Sequence, residues 1–147
     1  MKIRKARLKD IGEITNLLEL LFTQEVEFAF QKELHIKALK KIINNKDIGT
    51  IFVVTKEQKV IGCVNILFTI STALGGRVAL LEDMIINPLY QNKGIGKKLL
   101  LKVFEKLKKK KVKRITLLTD GDNQKGHNFY KSLGFAESTM KVFRQRM

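Results

Sequence analysis

Apolar and polar positions alternate along the chain with two different periods, and the changes of period mark its elements. Ile3 to Leu8 is a short β-type run. Ile14, Leu17, Leu18, Leu21 and Phe22 then recur at helical spacing, behind an Asp10–Glu13 pair with the pattern of a capping box. A second helical stretch runs through about Glu33 to Asn45, with Leu34, Ala38, Leu39, Ile42 and Ile43 on one side. Asn44-Asn45 suits its ending. Residues 50–55 and 60–69 are β-branched runs separated by Lys56-Glu57-Gln58-Lys59, which predicts a hairpin. Gly75-Gly76 turns the chain into a strand over Arg77 to Ile86, stopped by Asn87-Pro88. Ile95, Leu99, Leu100, Val103, Phe104 and Leu107 form the narrow apolar stripe of a strong helix. A buried-type strand over Ile115 to Thr119 and a short helix over Asn123 to Leu133 follow, and Phe135 to Arg144 supplies one or two closing strands. The predicted order is β-α-α-β-β-β-α-β-α-β. It implies an α+β fold in which about four helices cover a mixed sheet of six or seven strands.

Composition narrows this reading. A chain of 147 residues, 44% apolar, suits one domain over 1–147 with a core of its own. The single cysteine, Cys63, excludes an internal disulfide and any multi-cysteine metal site, so no metal is expected. The longest apolar candidate, Val60 to Ile70, is interrupted by Gly62 and Asn65 and falls short of the roughly 18 residues of a membrane span. The basic start, Met1 to Lys5, leads into no signal-type stretch. The expectation is a cytoplasmic protein without a membrane partner. Its net charge of +15 is unevenly spread. Lys93 to Arg114 holds eleven basic residues and one acidic, whereas Asp10 to Gln31 holds five acidic residues and no basic one.

The most informative segment joins the strand ending at Ile86 to the amphipathic helix through Gln91-Asn92-Lys93-Gly94-Ile95-Gly96-Lys97. The first-turn amides of a helix lack internal partners and, with the helix dipole, attract an anion. Gly94 and Gly96 carry no Cβ to hold a phosphate off the backbone, and Lys93, Lys97 and Lys98 add charge beside it. The dinucleotide fingerprint fails, because position 99 is Leu and the downstream segment is basic. The Walker spacing fails as well.

Here the chain resembles the GNAT superfamily of acyl-CoA-dependent N-acyltransferases. Gln91 to Gly96 matches its Gln/Arg-x-x-Gly-x-Gly/Ala pattern, after a strand ending Ile-x-Pro and before Leu99-Leu100. Some thirty residues on, Asn123 to Phe135 resembles Asn-x-x-Ala-x-x-Phe-Tyr-x-x-x-Gly-Phe, with Gly126 in place of the family's Ala. The resemblance covers essentially the whole chain and implies a mostly antiparallel mixed sheet whose parallel strands splay around acetyl-CoA as co-substrate. Carried over, the backbone of Met84, Ile85 and Ile86 lines the pantetheine. Amides from Asn92 to Lys97, Ile95 included, receive the pyrophosphate, Gln91 shapes the turn, and Asn123 reaches the cofactor.

The expected reaction is direct attack of an amine on the thioester in a ternary complex. A base must take a proton from the amine and an acid must protonate the departing thiolate. Glu82 and Asp83 interrupt an otherwise apolar strand, at a cost that implies a purpose or a partner. Regular alternation puts Glu82 on the side of Met84 and Ile86 and makes it the base; a bulge would substitute Asp83. The resemblance makes Tyr130 the acid. His127 reads as a surface or adenine neighbour, and His35 and Cys63 read as structural. Glu19, Glu25 and Glu27 border the side where the family takes its acceptor, which favours a cationic, polyamine-like or lysine-like amine, although a peptide or protein amino group also fits. A basic nucleic-acid-binding module and a non-catalytic acyl-CoA sensor are the competing readings. The first lacks any nucleic-acid motif, and Glu82 with Tyr130 speaks against the second. The sequence leaves a homodimer open.

Overall fold

A computed structural model describes residues 1–24 and 29–147. Five strands form one sheet: β1 (Lys2–Lys5), β2 (Gly49–Lys56), β3 (Lys59–Ser71), β4 (Gly76–Ile86) and β5 (Ile115–Leu117). They lie side by side in chain order, antiparallel from β1 to β4, with β5 parallel to β4. The helices are α1 (Ile11–Phe22), α2 (Lys32–Ile43), α3 (Ile95–Lys109) and α4 (Gln124–Ser132). Short 3-10 turns at Leu8–Asp10 and Pro88–Tyr90 precede α1 and α3.

The sheet is covered on both faces, which is why its middle strands read as unbroken apolar runs rather than as alternation. Along β2, Phe52 and Val54 join Val64, Ile66, Leu81 and Ile86 in a core beneath α3. The intervening Ile51 and Val53 join Val60, Cys63 and Ile85 in a second core under α1 and α2. Leu99, Leu100 and Val103 of α3 are completely buried, so the sequence stripe is the contact face. The β2–β3 hairpin turns through Glu57 and Gln58, both at positive φ, as a tight two-residue connection between right-twisted strands requires.

Two local expectations are corrected. Asp10 does not cap α1; its carboxylate turns back to accept from both ends of the Arg4 guanidinium, at 2.7 and 3.0 Å, and from the Arg7 amide at 2.7 Å. Glu13 instead accepts from the Val60 amide at 2.9 Å and ties α1 to β3. Among the described residues the sheet also has five strands rather than six or seven. No described residue from Phe135 onward enters the ladder. That segment places its apolar residues irregularly, and only Phe135 finds a packed setting, against Phe104 and Tyr130. Met140 and Phe143 remain exposed. β5 is itself three residues long and offers little edge for a further strand.

Candidate active site

The end of β4 and the start of α3 build the glycine turn. The Gln91 side chain donates through Nε2 to the Ile86 carbonyl at 2.8 Å, pinning the loop to the last residue of the strand. Asn92 and Gly94 both have positive φ, and Gly94 is the residue that caps α3. The Lys98 amide donates to the Gly94 carbonyl at 3.1 Å; the amides just before it have no acceptor inside the helix. A Cβ at Gly94 would meet nothing within 4 Å, so glycine is required there by backbone conformation, and the space over the turn is open. At Gly96 a Cβ would lie 3.3 Å from both Met84 and Phe129. Its absence lets the first turn of α3 close onto β4 and α4. Lys93, Lys97 and Lys98 are exposed around the rim.

Next to this turn the sheet opens. β4 and β5 are paired only from Ala79–Leu81 to Ile115–Leu117. Beyond Leu81, β4 runs on to Ile86 while the chain after Leu117 leaves the ladder, so the β4 backbone at Met84 to Ile86 has a free edge on that side. The free edge therefore ends at the open glycine turn.

α4 supplies the second motif. Asn123 is its N-cap, with Oδ1 accepting from the Gly126 amide at 3.1 Å and Nδ2 donating to the Thr119 hydroxyl at 3.1 Å. A Cβ at position 126 would overlap the Asn123 side chain, which accounts for glycine at that place. His127 donates through Nε2 to the Asp120 carbonyl at 2.8 Å and fastens α4 to the loop after β5. The Tyr130 ring meets Phe129 and Phe135 edge-on, with centroids 5.2 and 5.7 Å away. Burial pushes its phenol up to about 12, so the hydroxyl keeps its proton throughout the neutral range.

The carboxylates lie where β4 bulges. Glu82 sits opposite Asn65 and Ile85 opposite Cys63, so Asp83 and Met84 together face the single residue Val64. Asp83 takes up the irregularity at φ +52°. The bulge resets the alternation. Met84 and Ile86 pack beneath α3, whereas Glu82 and Asp83 both open into a cavity on the α1–α2 side. The argument that placed Glu82 on the side of Met84 and Ile86 is thus overturned by one extra residue. Burial, reinforced by the neighbouring Glu82 charge, pushes the Asp83 carboxyl up to about 6, and a hydrogen bond from Asn65 offsets part of that rise. Glu82 is exposed at the cavity mouth.

The cavity measures about 510 Å³. Its walls are mainly apolar, with Leu18, Phe22, Leu39 and Ile42 from the helices and Leu67 and Leu118 from the sheet side. Asn65, His35 and Arg144 are the other polar lining residues. His35 packs between Phe22 and Phe30, with centroids 4.8 and 5.3 Å away, and its Nε2 accepts from the Gln31 amide at 2.8 Å. Partial burial lowers its pKa, in keeping with the neutral ring that this bond requires. Cys63 is buried behind Asp83, and its thiol is held firmly protonated by burial and by that carboxylate.

The structure thus brings Gln91 to Lys97 together at one end of β4, and Glu82 with Asp83 along its length. Glu19 is exposed on α1, and Glu25 and Glu27 lie outside the described residues. Sequence reasoning did not select Asn65 as a site residue. Its signal was present as the one polar amide inside an apolar strand.

Comparison with known proteins bears on the fold and the family. A Bacillus subtilis (strain 168) protein described as the uncharacterized N-acetyltransferase YhfO is 28% identical over 145 residues, spanning 95% of this chain and 92% of its own. A possible acetyltransferase from Clostridium difficile 630 superposes with a TM-score of 0.89 over 99% of this chain and 97% of that one, at 19% identity. A predicted acetyltransferase from Clostridium acetobutylicum, solved with acetyl-CoA, superposes with a TM-score of 0.80 at 18% identity, covering 98% of this chain and 95% of that one. At such identities the two structures speak for the fold alone. The model of the acetyltransferase (GNAT) family matches residues 13–135, from α1 through both glycine-containing motifs to the end of α4, and this chain belongs to that family of N-acetyltransferases.

Proposed function

We propose that residues 1–147 form one catalytic unit that transfers an acetyl group from acetyl-CoA to a primary amine in a ternary complex. The observation that carries this reading is that one strand, β4, ends in the phosphate-type glycine turn and presents two carboxylates to a separate cavity. Donor and acceptor can thus approach the same strand from different sides. The backbone of Met84, Ile85 and Ile86, the amides from Asn92 to Lys97 and the Lys93 and Lys97 side chains would hold the donor. Asn123 contributes by capping α4, which fixes the loop beside it. The thioester supplies an electrophilic carbonyl and a thiolate leaving group.

The residues of this chain manage the protons. Alkylamines are ammonium ions at neutral pH, so a carboxylate must take one proton before attack. Asp83, with its carboxyl near 6, is ionised at pH 7 and is more basic than an ordinary aspartate, which suits it to that step. Glu82, at the mouth of the same cavity, draws the ammonium in and is the alternative base. The Tyr130 hydroxyl, protonated at all working pH values, is the acid for the sulfur.

The test follows thiol release from acetyl-CoA over a panel of primary amines. Tyr130→Phe keeps the ring and should lower kcat by roughly 10²-fold or more, with acetyl-CoA affinity unchanged. Asp83→Asn should lower kcat to a similar extent and abolish the rise of kcat/KM through about pH 6. Full activity in both variants would discard these roles, and no thiol release with any amine would discard the transferase reading.

A further inference from the structure

We infer that Asn65 docks the acceptor amine and that the acceptor is a primary amine on an apolar body; this rests on the transferase reading above. Asn65 is 6% exposed, and its Oδ1 is the one buried side-chain oxygen or nitrogen among the described residues with no hydrogen-bond partner. It lines the cavity directly across the ladder from Glu82. Its amide hydrogen bond lowers the Asp83 pKa, so the NH₂ end is turned toward that carboxylate. The opposite amide orientation would set oxygen against carboxylate. The orphaned atom is therefore the carbonyl oxygen, an acceptor without a donor.

A buried acceptor left empty is costly, and native proteins rarely keep one without a use. An ammonium or amine is the matching donor, since it carries several N–H groups and a charge that the two neighbouring carboxylates welcome. With one N–H on Asn65 and another proton directed to Asp83, the nitrogen is oriented before the proton leaves. Asn65 is thus a positioning residue. It also stabilises the ionised Asp83 in the free enzyme.

The rest of the cavity selects what the nitrogen is attached to. Away from the carboxylates its walls are mainly Leu18, Phe22, Leu39, Ile42, Leu67 and Leu118, with the neutral His35 ring and the Arg144 guanidinium as the polar exceptions. A second ammonium would lose water against the apolar walls and share the cavity with the cationic Arg144. An alkyl or aryl group would instead bury apolar area. A phenethylamine-like acceptor fits this chemistry better than a diamine, and it replaces the polyamine expectation drawn from the N-terminal glutamates.

The experiment compares kcat/KM for phenethylamine and putrescine in the wild type, then repeats the phenethylamine series with Asn65→Leu and Asn65→Ser. Phenethylamine should be preferred. Both variants should raise its KM by roughly 10- to 100-fold, the range for one hydrogen bond to a charged group, with acetyl-CoA affinity unchanged by calorimetry. The acid limb of the pH profile should also move upward, because Asp83 loses the hydrogen bond that favours its ionised form. A merely structural Asn65 would change melting temperature without moving that limb. An unchanged KM in folded Asn65→Ser, or putrescine used as well as phenethylamine, overturns the inference while leaving acetyl transfer intact. Absence of transfer to every amine overturns the transferase reading and this one with it.

Discussion

The Asp83 carboxyl couples the stability of this fold to pH. Its folded pKa of about 6 lies above the unfolded value near 4, so the folded state binds more protons than the unfolded chain between those values. Stability should therefore be greatest below about pH 4 for this group, fall as pH rises through that window, and level off above it. A rise from near 4 to about 6 corresponds to about 3 kcal/mol at neutral pH. Asp83→Asn should make the protein more resistant to urea at pH 8 by about 2–3 kcal/mol and change little at pH 4. Equal effects at the two pH values would show that burial does not govern this side chain. Stability gained together with activity lost is the pattern expected of a group kept for its chemistry.

On the scale of elements, the β4–α3 connection carries the donor reading. Gly94 has φ +77°, a conformation that β-branched residues strongly resist, and it begins the helix whose buried stripe anchors one face of the sheet. Gly94→Val should cost about 1–3 kcal/mol of stability from backbone strain. It should also weaken acetyl-CoA binding by several kcal/mol, since several charge-assisted contacts shift together. Calorimetry on the folded variant separates the two effects. Unchanged acetyl-CoA affinity would move the donor away from this turn. Gly96→Ala acts by another route, because its Cβ would press on the tip of the Met84 side chain and on the Phe129 ring.

For the whole molecule the relevant quantity is the distribution of charge. The rim of the glycine turn carries Lys93, Lys97 and Lys98, all exposed, on a chain of net charge +15. An anionic donor should be steered to that end. Raising salt from about 0.02 M to about 0.5 M should slow acetyl-CoA association by roughly an order of magnitude. Replacing Lys97 and Lys98 with Ala should flatten that dependence, as stopped-flow binding would show. An association rate indifferent to salt would confine these lysines to solvation.

The strands through β5, the helices and the phosphate-type turn were legible along the chain because each depends on short-range patterns, whereas the closing strands expected over Phe135 to Arg144 do not form. Apolar spacing sets a helix face, β-branched runs between turn residues set strands, and glycines before a helix expose its amides. The stripe from Ile95 to Leu107 and the turn from Gln91 to Lys97 lie where those patterns predict. The cavity proposed for the acceptor was not legible in this way. Its lining comes from α1, α2, β3, β4 and the segment holding Arg144, which only the folded sheet brings together. The bulge at Asp83 is equally invisible to an alternation rule, because it arises from how β4 pairs with β3 rather than from the composition of either strand. That one extra residue turns both carboxylates toward the same cavity and sets Asn65 across from Glu82. Local periodicity specifies elements and turns, whereas strand register and the packing of distant segments decide which side chains meet.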